Sequence, residues 1–168
     1  MPSAATVSLH IEAFAPAAAA ATDSVMLTFE ERVRCRRPVR LDSGAEAAIA
    51  LPRGAALRHG DRLLGSDGRV VEVRAAPESL LHVEIANAAL LARAAYHLGN
   101  RHVAVEVRGN ALRVARDAVL EGMLRGLGLE PVAVEAPFEP EGGAYGHTHA
   151  HLGDAGRQAP VIHEYRRP

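Results

Sequence analysis

The chain has 168 residues, 48% of them hydrophobic and 23% charged, which is enough to bury a core in one large domain or two small ones. Its formal net charge of -1 leaves no electrostatic footprint for nucleic acid or an anionic membrane, although all 19 basic residues are arginine. The single cysteine, Cys35, excludes an internal disulfide and any cysteine-only metal site, and it fits a reducing compartment.

The alanine-rich stretch 15–21 has the look of a signal-peptide cleavage region, but it lacks a basic leader, and His10 and Glu12 interrupt the apolar run before it. No segment approaches the roughly 20 apolar residues of a membrane-spanning helix, so a cytoplasmic protein without membrane contact is expected. From Thr6 to about Ala76 the pattern is that of short strands. The runs Val7–Ile11 and Val25–Phe29 are extended in type, and Gly44, Gly54, Gly60 and Gly68 punctuate the later segments. Ser66-Asp67-Gly68-Arg69 separates Arg62-Leu63-Leu64 from Val70–Val73 as a hairpin turn would. Composition marks Ala75-Ala76-Pro77-Glu78 as the expected linker, which predicts an all-β first domain over residues 1–76.

Beyond it strand and helix patterns alternate. Leu80–Ile85 is strand-like, and Asn87 caps a helix with apolar positions Leu90, Leu91, Ala94, Ala95 and Leu98, stopped by Gly99 as a left-handed cap. Val103–Val107 reads as a strand, Gly109-Asn110 as a turn and Leu112–Ala115 as the returning partner. Asp117 starts a second helix through Leu120, Met123, Leu124 and Leu127, and Gly128 ends it before the strand Val132–Val134. The order β-α-β-β-α-β is the ferredoxin-like plan, here over residues 77–145, and the class is α+β. Residues 146–168 carry no periodic apolar signal and are expected to form a flexible tail.

The chemistry rests on imidazoles. His102 stands just beyond a helix terminus and at the mouth of a strand, and His147, His149 and His151 alternate far downstream. Imidazole is a preferred ligand of zinc, copper, iron and nickel, so one fixed histidine plus a histidine-bearing tail suggests a site that takes up and releases metal. Of the three, His147 is nearest the folded domain and loses least entropy on reaching a shared site. His97, on the last helical turn, fits an interaction with the helix dipole instead. His10, His59, His82 and His163 have no ligand partner in sequence and read as bystanders. Arg34 and Arg36 flank Cys35, which favours thiolate, but without a paired histidine or second cysteine a packed, inert thiol is expected. The cluster Arg32, Arg34, Arg36, Arg37 and Arg40 reads as a solvated strand surface rather than a docking face.

Three ordered motifs carry a family resemblance: Tyr96-His97-Leu98-Gly99-Asn100-Arg101-His102-Val103, then Asp117–Leu120 with Met123-Leu124 and Leu127-Gly128, then Ala136–Glu141 with Gly143-Ala144-Tyr145. They resemble the urease accessory protein E family (UreE), nickel chaperones of urease maturation. A weaker match, Leu51–Gly54 with Leu57, Gly60-Asp61 and Leu63, extends the resemblance over nearly all of the chain outside its two ends. It implies a β-rich domain resembling a peptide-binding module, then a ferredoxin-like metal-binding domain. It further implies a homodimer joined through the second domains, with His102 of both copies at one interfacial Ni²⁺ site that Zn²⁺ or Cu²⁺ can also occupy. Delivery to the urease apoprotein through an accessory complex containing a GTPase is implied as well. Some members carry extra histidines near the start of the second helix; here Arg116 and Ala118 stand there, and neither replaces them as a nickel ligand. The tail has no long polyhistidine run, so high-capacity storage is not expected.

Two other functions compete with this reading. His147-Thr148-His149 resembles the paired histidines of metal-dependent hydrolases, but it lies in a Gly-rich tail with no rigid carboxylate ligand or general base, and HExxH, GxSxG and a phosphate-binding loop are missing. A small β domain before a ferredoxin-like domain also suits an RNA or ribosome-maturation factor. Against that, aromatics are only 4% of residues and the chain has no net positive charge.

Overall fold

A computed structural model describes residues 9–34, 36–52 and 54–142. The first sheet has six strands: β1 (Leu9–Phe14), β2 (Asp23–Leu27), β3 (Arg36–Arg40), β4 (Glu46–Ala50), β5 (Arg62–Gly65) and β6 (Val70–Ala75). Their order is β2-β6-β5-β1-β4-β3, with β1 parallel to β4 and β2 parallel to β6. Alternation along the strands decides which face is inside. In β1, Leu9 and Ile11 are buried while His10 and Glu12 point outward; in β6, Val71 and Val73 turn to the same core as Ile49 and Leu63. The hairpin predicted around Gly68 forms, with Leu64 opposite Val70.

This β half also contains one short helix, α1 (Phe29–Arg32), so Phe29 opens a helical turn instead of ending a strand. The reason is a capping box: Thr28 accepts from the Glu31 amide, and the Glu31 carboxylate accepts from the Thr28 amide. Burial pushes the Glu31 carboxyl up, but the bonds from Thr28 and the neighbouring Arg37 outweigh it and hold the group below its ordinary value.

The second sheet contains β7 (Pro77–Glu84), β8 (Glu106–Arg108), β9 (Ala111–Ala115) and β10 (Val132–Pro137), in the order β10-β7-β9-β8 with every neighbour antiparallel. Numbered within this half the order is 4-1-3-2, the ferredoxin-like arrangement, so the α+β expectation holds. Two helices, α2 (Ala88–Gly99) and α3 (Ala118–Gly126), cover one face. Their buried residues Ala94, Leu98, Leu120 and Leu124 pack with Leu81, Val83, Leu112 and Val114 of the sheet. Strand pairing takes up all but Ala76 of the stretch expected to be a linker, because Pro77 and Glu78 already pair with Pro137 and Ala136. The strand expected at Val103–Val107 is shorter and later, since residues 103–105 still belong to the crossing from α2.

The two sheets are held together by side chains of α1. Arg32, 1% exposed, donates to the Leu57 and Phe138 carbonyls and pairs with Glu139. Phe29 packs edge-on against Phe138 at 5.5 Å between ring centroids, and its amide donates to Glu78 at 2.7 Å. Arg32 is therefore a buried joint and not part of a solvated arginine surface. Arg37 is half-buried too and pairs with Glu31 at 2.7 Å, whereas Arg34, Arg36 and Arg40 are exposed as expected, Arg34 pairing with exposed Glu30 and Arg40 lying 3.9 Å from Glu46.

Candidate metal centre

His102 owes its position to the way α2 ends. Asn87 caps the other end of the helix, its side chain accepting from the Leu90 amide at 2.9 Å, and Ala94 and Leu98 pin one face to the sheet. At the C-terminus the chain continues past Gly99 with right-handed geometry at Asn100. Two further turns of the tighter kind follow, Arg101 N–H to the Leu98 carbonyl at 3.0 Å and His102 N–H to the Gly99 carbonyl at 2.9 Å. The chain then reverses at His102 itself, with φ 56°. The left-handed residue is thus His102 and not Gly99, three positions later than the glycine signal predicts. Among the described residues His102 is alone as a non-glycine with positive φ.

The conformation throws the His102 imidazole onto an exposed surface. Tyr96, 66% exposed on the last turn of α2, packs edge-on to the His97 ring, and Val119 at the start of α3 is 70% exposed. A groove of about 530 Å³ runs beside the crossing, its lining including Arg101, Val103, Val119, Phe29, Glu78 and Phe138. After His102 the chain is tied down again at Val105, whose carbonyl accepts from the Glu141 amide at 2.8 Å.

The remaining described histidines have other work. His59 Nδ1 accepts from the Ala75 amide at 3.2 Å, and His82 Nδ1 accepts from Arg113 Nε at 3.3 Å on the sheet. His10 lies exposed on β1. No three His, Cys, Asp or Glu side chains converge into a metal-holding group among the described residues. Among the described residues His102 is thus an exposed donor that belongs to no such group. His147, His149, His151, His163 and Cys35 lie outside the described residues.

The joint between the sheets is the feature that sequence reasoning missed. Its local signal was present in Thr28-Phe29-Glu30-Glu31, the spacing of a capping box. The destination of Arg32, more than a hundred residues downstream in sequence, had no such signal.

Both halves of the chain have relatives among known proteins. Residues 7–76 match the family model for the UreE urease accessory protein, N-terminal domain, and residues 78–166 match its C-terminal domain. A urease accessory protein UreE of Dechloromonas aromatica is 48% identical over 162 residues, covering 87% of this chain and 93% of that protein. One from Azotobacter vinelandii is 50% identical over 143 residues, covering 83% and 86%. One from Ralstonia nicotianae is 51% identical over 131 residues, covering 78% of this chain, which spans about three-fifths (62%) of that longer protein. No helix among the described residues is long and apolar enough to cross a membrane. With both halves matched and the two-sheet architecture in place, the chain belongs to the UreE urease accessory protein family, a family of accessory proteins and not of enzymes.

Proposed function

We propose that this protein is a nickel carrier that works in the cytoplasm as a homodimer and delivers Ni²⁺ to the urease apoprotein through an accessory complex that includes a GTPase. Two copies of His102, one from each protomer, meet across the twofold axis and share the ion. His147, with His149 and His151 behind it, completes the shell. Zn²⁺ and Cu²⁺ compete for the same donors, because selectivity among these ions comes from geometry and supply rather than from imidazole itself.

The observation that carries this reading is the backbone of His102. A left-handed residue with a Cβ is disfavoured by up to roughly 1–2 kcal/mol, less for Asn, Asp and His, which are enriched there, and glycine would remove the cost. Both neighbours of those types, Gly99 and Asn100, sit just upstream in right-handed or helical geometry, while the histidine takes the strained position. Retained strain on an exposed donor is the mark of a residue kept for its chemistry. An isolated imidazole also suits cargo better than a closed four-ligand cage, because an incomplete shell exchanges its ion. The exposed Tyr96 and Val119 provide apolar surface around the same helix end for a second copy to cover. The hydrolase reading is set aside, since the family is an accessory one.

The test is a nickel titration of wild-type protein and His102→Gly, with mass measured in solution with and without metal. About one ion per dimer, lost in the variant, is the expected result. Protein that is monomeric whether or not Ni²⁺ is supplied, or a variant that titrates like wild type, would overturn the proposal.

A further inference from the structure

We propose that Arg32 is a positioning residue for His102, through which the first domain sets the geometry of the metal donor; the functional meaning of this rests on the nickel reading above. The path is short: its links are hydrogen bonds from Arg32 to β10 and from Glu141 to Val105, joined by the covalent chain from 139 to 141 and from 105 back to His102. Arg32 grips the end of β10 from the other sheet, with Nη2 on the Phe138 carbonyl and Nη1 on the Glu139 carboxylate and the Leu57 carbonyl. The same carboxylate accepts the His59 amide at 3.2 Å, so two separate parts of the first domain hold residue 139. Two residues further on, the Glu141 amide donates to the Val105 carbonyl at 2.8 Å, and the Glu139 amide approaches the carboxylate of Glu106 at 3.5 Å. Val105 and Glu106 are the downstream anchor of the crossing that begins at His102; the upstream anchor is the end of α2.

The chemistry of Arg32 favours a positioning role over a general stabilising one. Its guanidinium is almost wholly buried, lies 5.9 Å from the Phe29 ring centroid, and leaves Nε without a partner. Replacing such an ion pair by packed apolar groups is often neutral for stability, so retention of the charge calls for another reason. A planar fork that reaches two carbonyls and a carboxylate at once fixes an orientation, which a point charge does not. A left-handed histidine held at both ends has its imidazole direction set by where those ends are. If residues 138–141 are released, the downstream anchor at Val105 loosens and the strained φ of His102 relaxes.

The experiment uses the full chain with Arg32→Met, which keeps a long side chain but loses the fork, and Glu141→Pro, which deletes the amide that reaches Val105 without touching the buried joint. Arg36→Met, at an exposed position on β3, is the control for lost charge. The first readout is the pair of His102 imidazole carbon–proton NMR signals in metal-free protein, assigned by their loss in His102→Gly; the second is Ni²⁺ affinity by calorimetry. Both test variants should move the His102 signals and lower nickel affinity about tenfold, the scale on which supporting partners act on metal ligands, while Arg36→Met matches wild type. Folded Arg32→Met with unshifted His102 signals overturns the proposal. Should Arg32→Met fail to fold, Glu141→Pro decides by the same criterion. If His102→Gly proves to bind nickel like wild type, the carrier reading fails, and the metal-free signals still judge the link between Arg32 and His102.

Discussion

The two helices of the second domain leave the sheet in the same manner and use opposite residues to do it. α3 reverses at Gly128, φ 80°, where the Gly128 amide donates to the Arg125 carbonyl at 2.9 Å and the Leu129 amide reaches back to Leu124 at 3.1 Å. That is the paired bonding of a Schellman motif with glycine where it is strain-free. α2 reverses at His102, φ 56°, by the same 5→2 type of bond, His102 N–H to Gly99. One exit is built for stability, and the other carries a side chain that the backbone would prefer to be without. Because the helices share a sheet and a core, the contrast isolates the demand made on one residue.

The contrast is broken most directly by nickel binding. His102→Gly should lower Ni²⁺ affinity by at least about 100-fold, ~2.7 kcal/mol, whereas Gly128→Ala should change it by less than about threefold. Calorimetric titration of both variants checks the pair. Equal losses would mean that nickel responds to the general order of the domain and not to the residue at one exit.

The next effect lies on the other helix. A Cβ at Gly128 meets nothing within 4 Å, so Gly128→Ala suffers the dihedral penalty of about 1–2 kcal/mol less the roughly 0.5–1 kcal/mol gained by restricting the unfolded chain, a net loss of about 0.5–1 kcal/mol. Urea denaturation measures it. A smaller cost than a few tenths of a kcal/mol would show that α3 tolerates left-handed alanine, and the strain at His102 would lose its scale.

How far the sequence announces these features depends on how local each one is. Asn87, Asp117 and Gly128 cap the helices as their positions predict, because capping joins a side chain or amide to backbone a few residues away. The β5–β6 hairpin is legible for the same reason. His102 stands out as a candidate through its motif, but its conformation does not: glycine has the intrinsic freedom to reverse, and nothing local says that the chain delays the reversal past Gly99. Arg32 lies furthest from view, since a residue in an arginine-rich stretch is distinguished by partners 25, 106 and 107 positions away.

Smaller in size, but bearing directly on the strain at the α2 exit, is the stability of His102 variants. Glycine at this position removes up to about 1–2 kcal/mol of left-handed strain and loses roughly 0.5–1 kcal/mol to its greater freedom in the unfolded chain. His102→Gly should therefore be more stable than His102→Ala, by about 0.5–1 kcal/mol, while both lose nickel. Thermal and urea unfolding of the two metal-free variants gives the comparison. Alanine matching glycine would remove the evidence that function holds this residue where the backbone resists it.

The smallest expected effect separates two accounts of how α2 ends. In the structure Gly99 is the last helical residue, its φ is not positive, and an added Cβ would meet nothing within 4 Å. Gly99→Ala should then leave nickel affinity unchanged and raise stability by up to about 0.5–1 kcal/mol, the helix preference of alanine over glycine, reduced near a terminus. If the variant is instead destabilised by more than about 1 kcal/mol, Gly99 occupies the left-handed region in solution, as its residue type alone predicts. The reversal would then fall three residues earlier, His102 would carry no strain, and its exposed imidazole would need another reason to stand where it does.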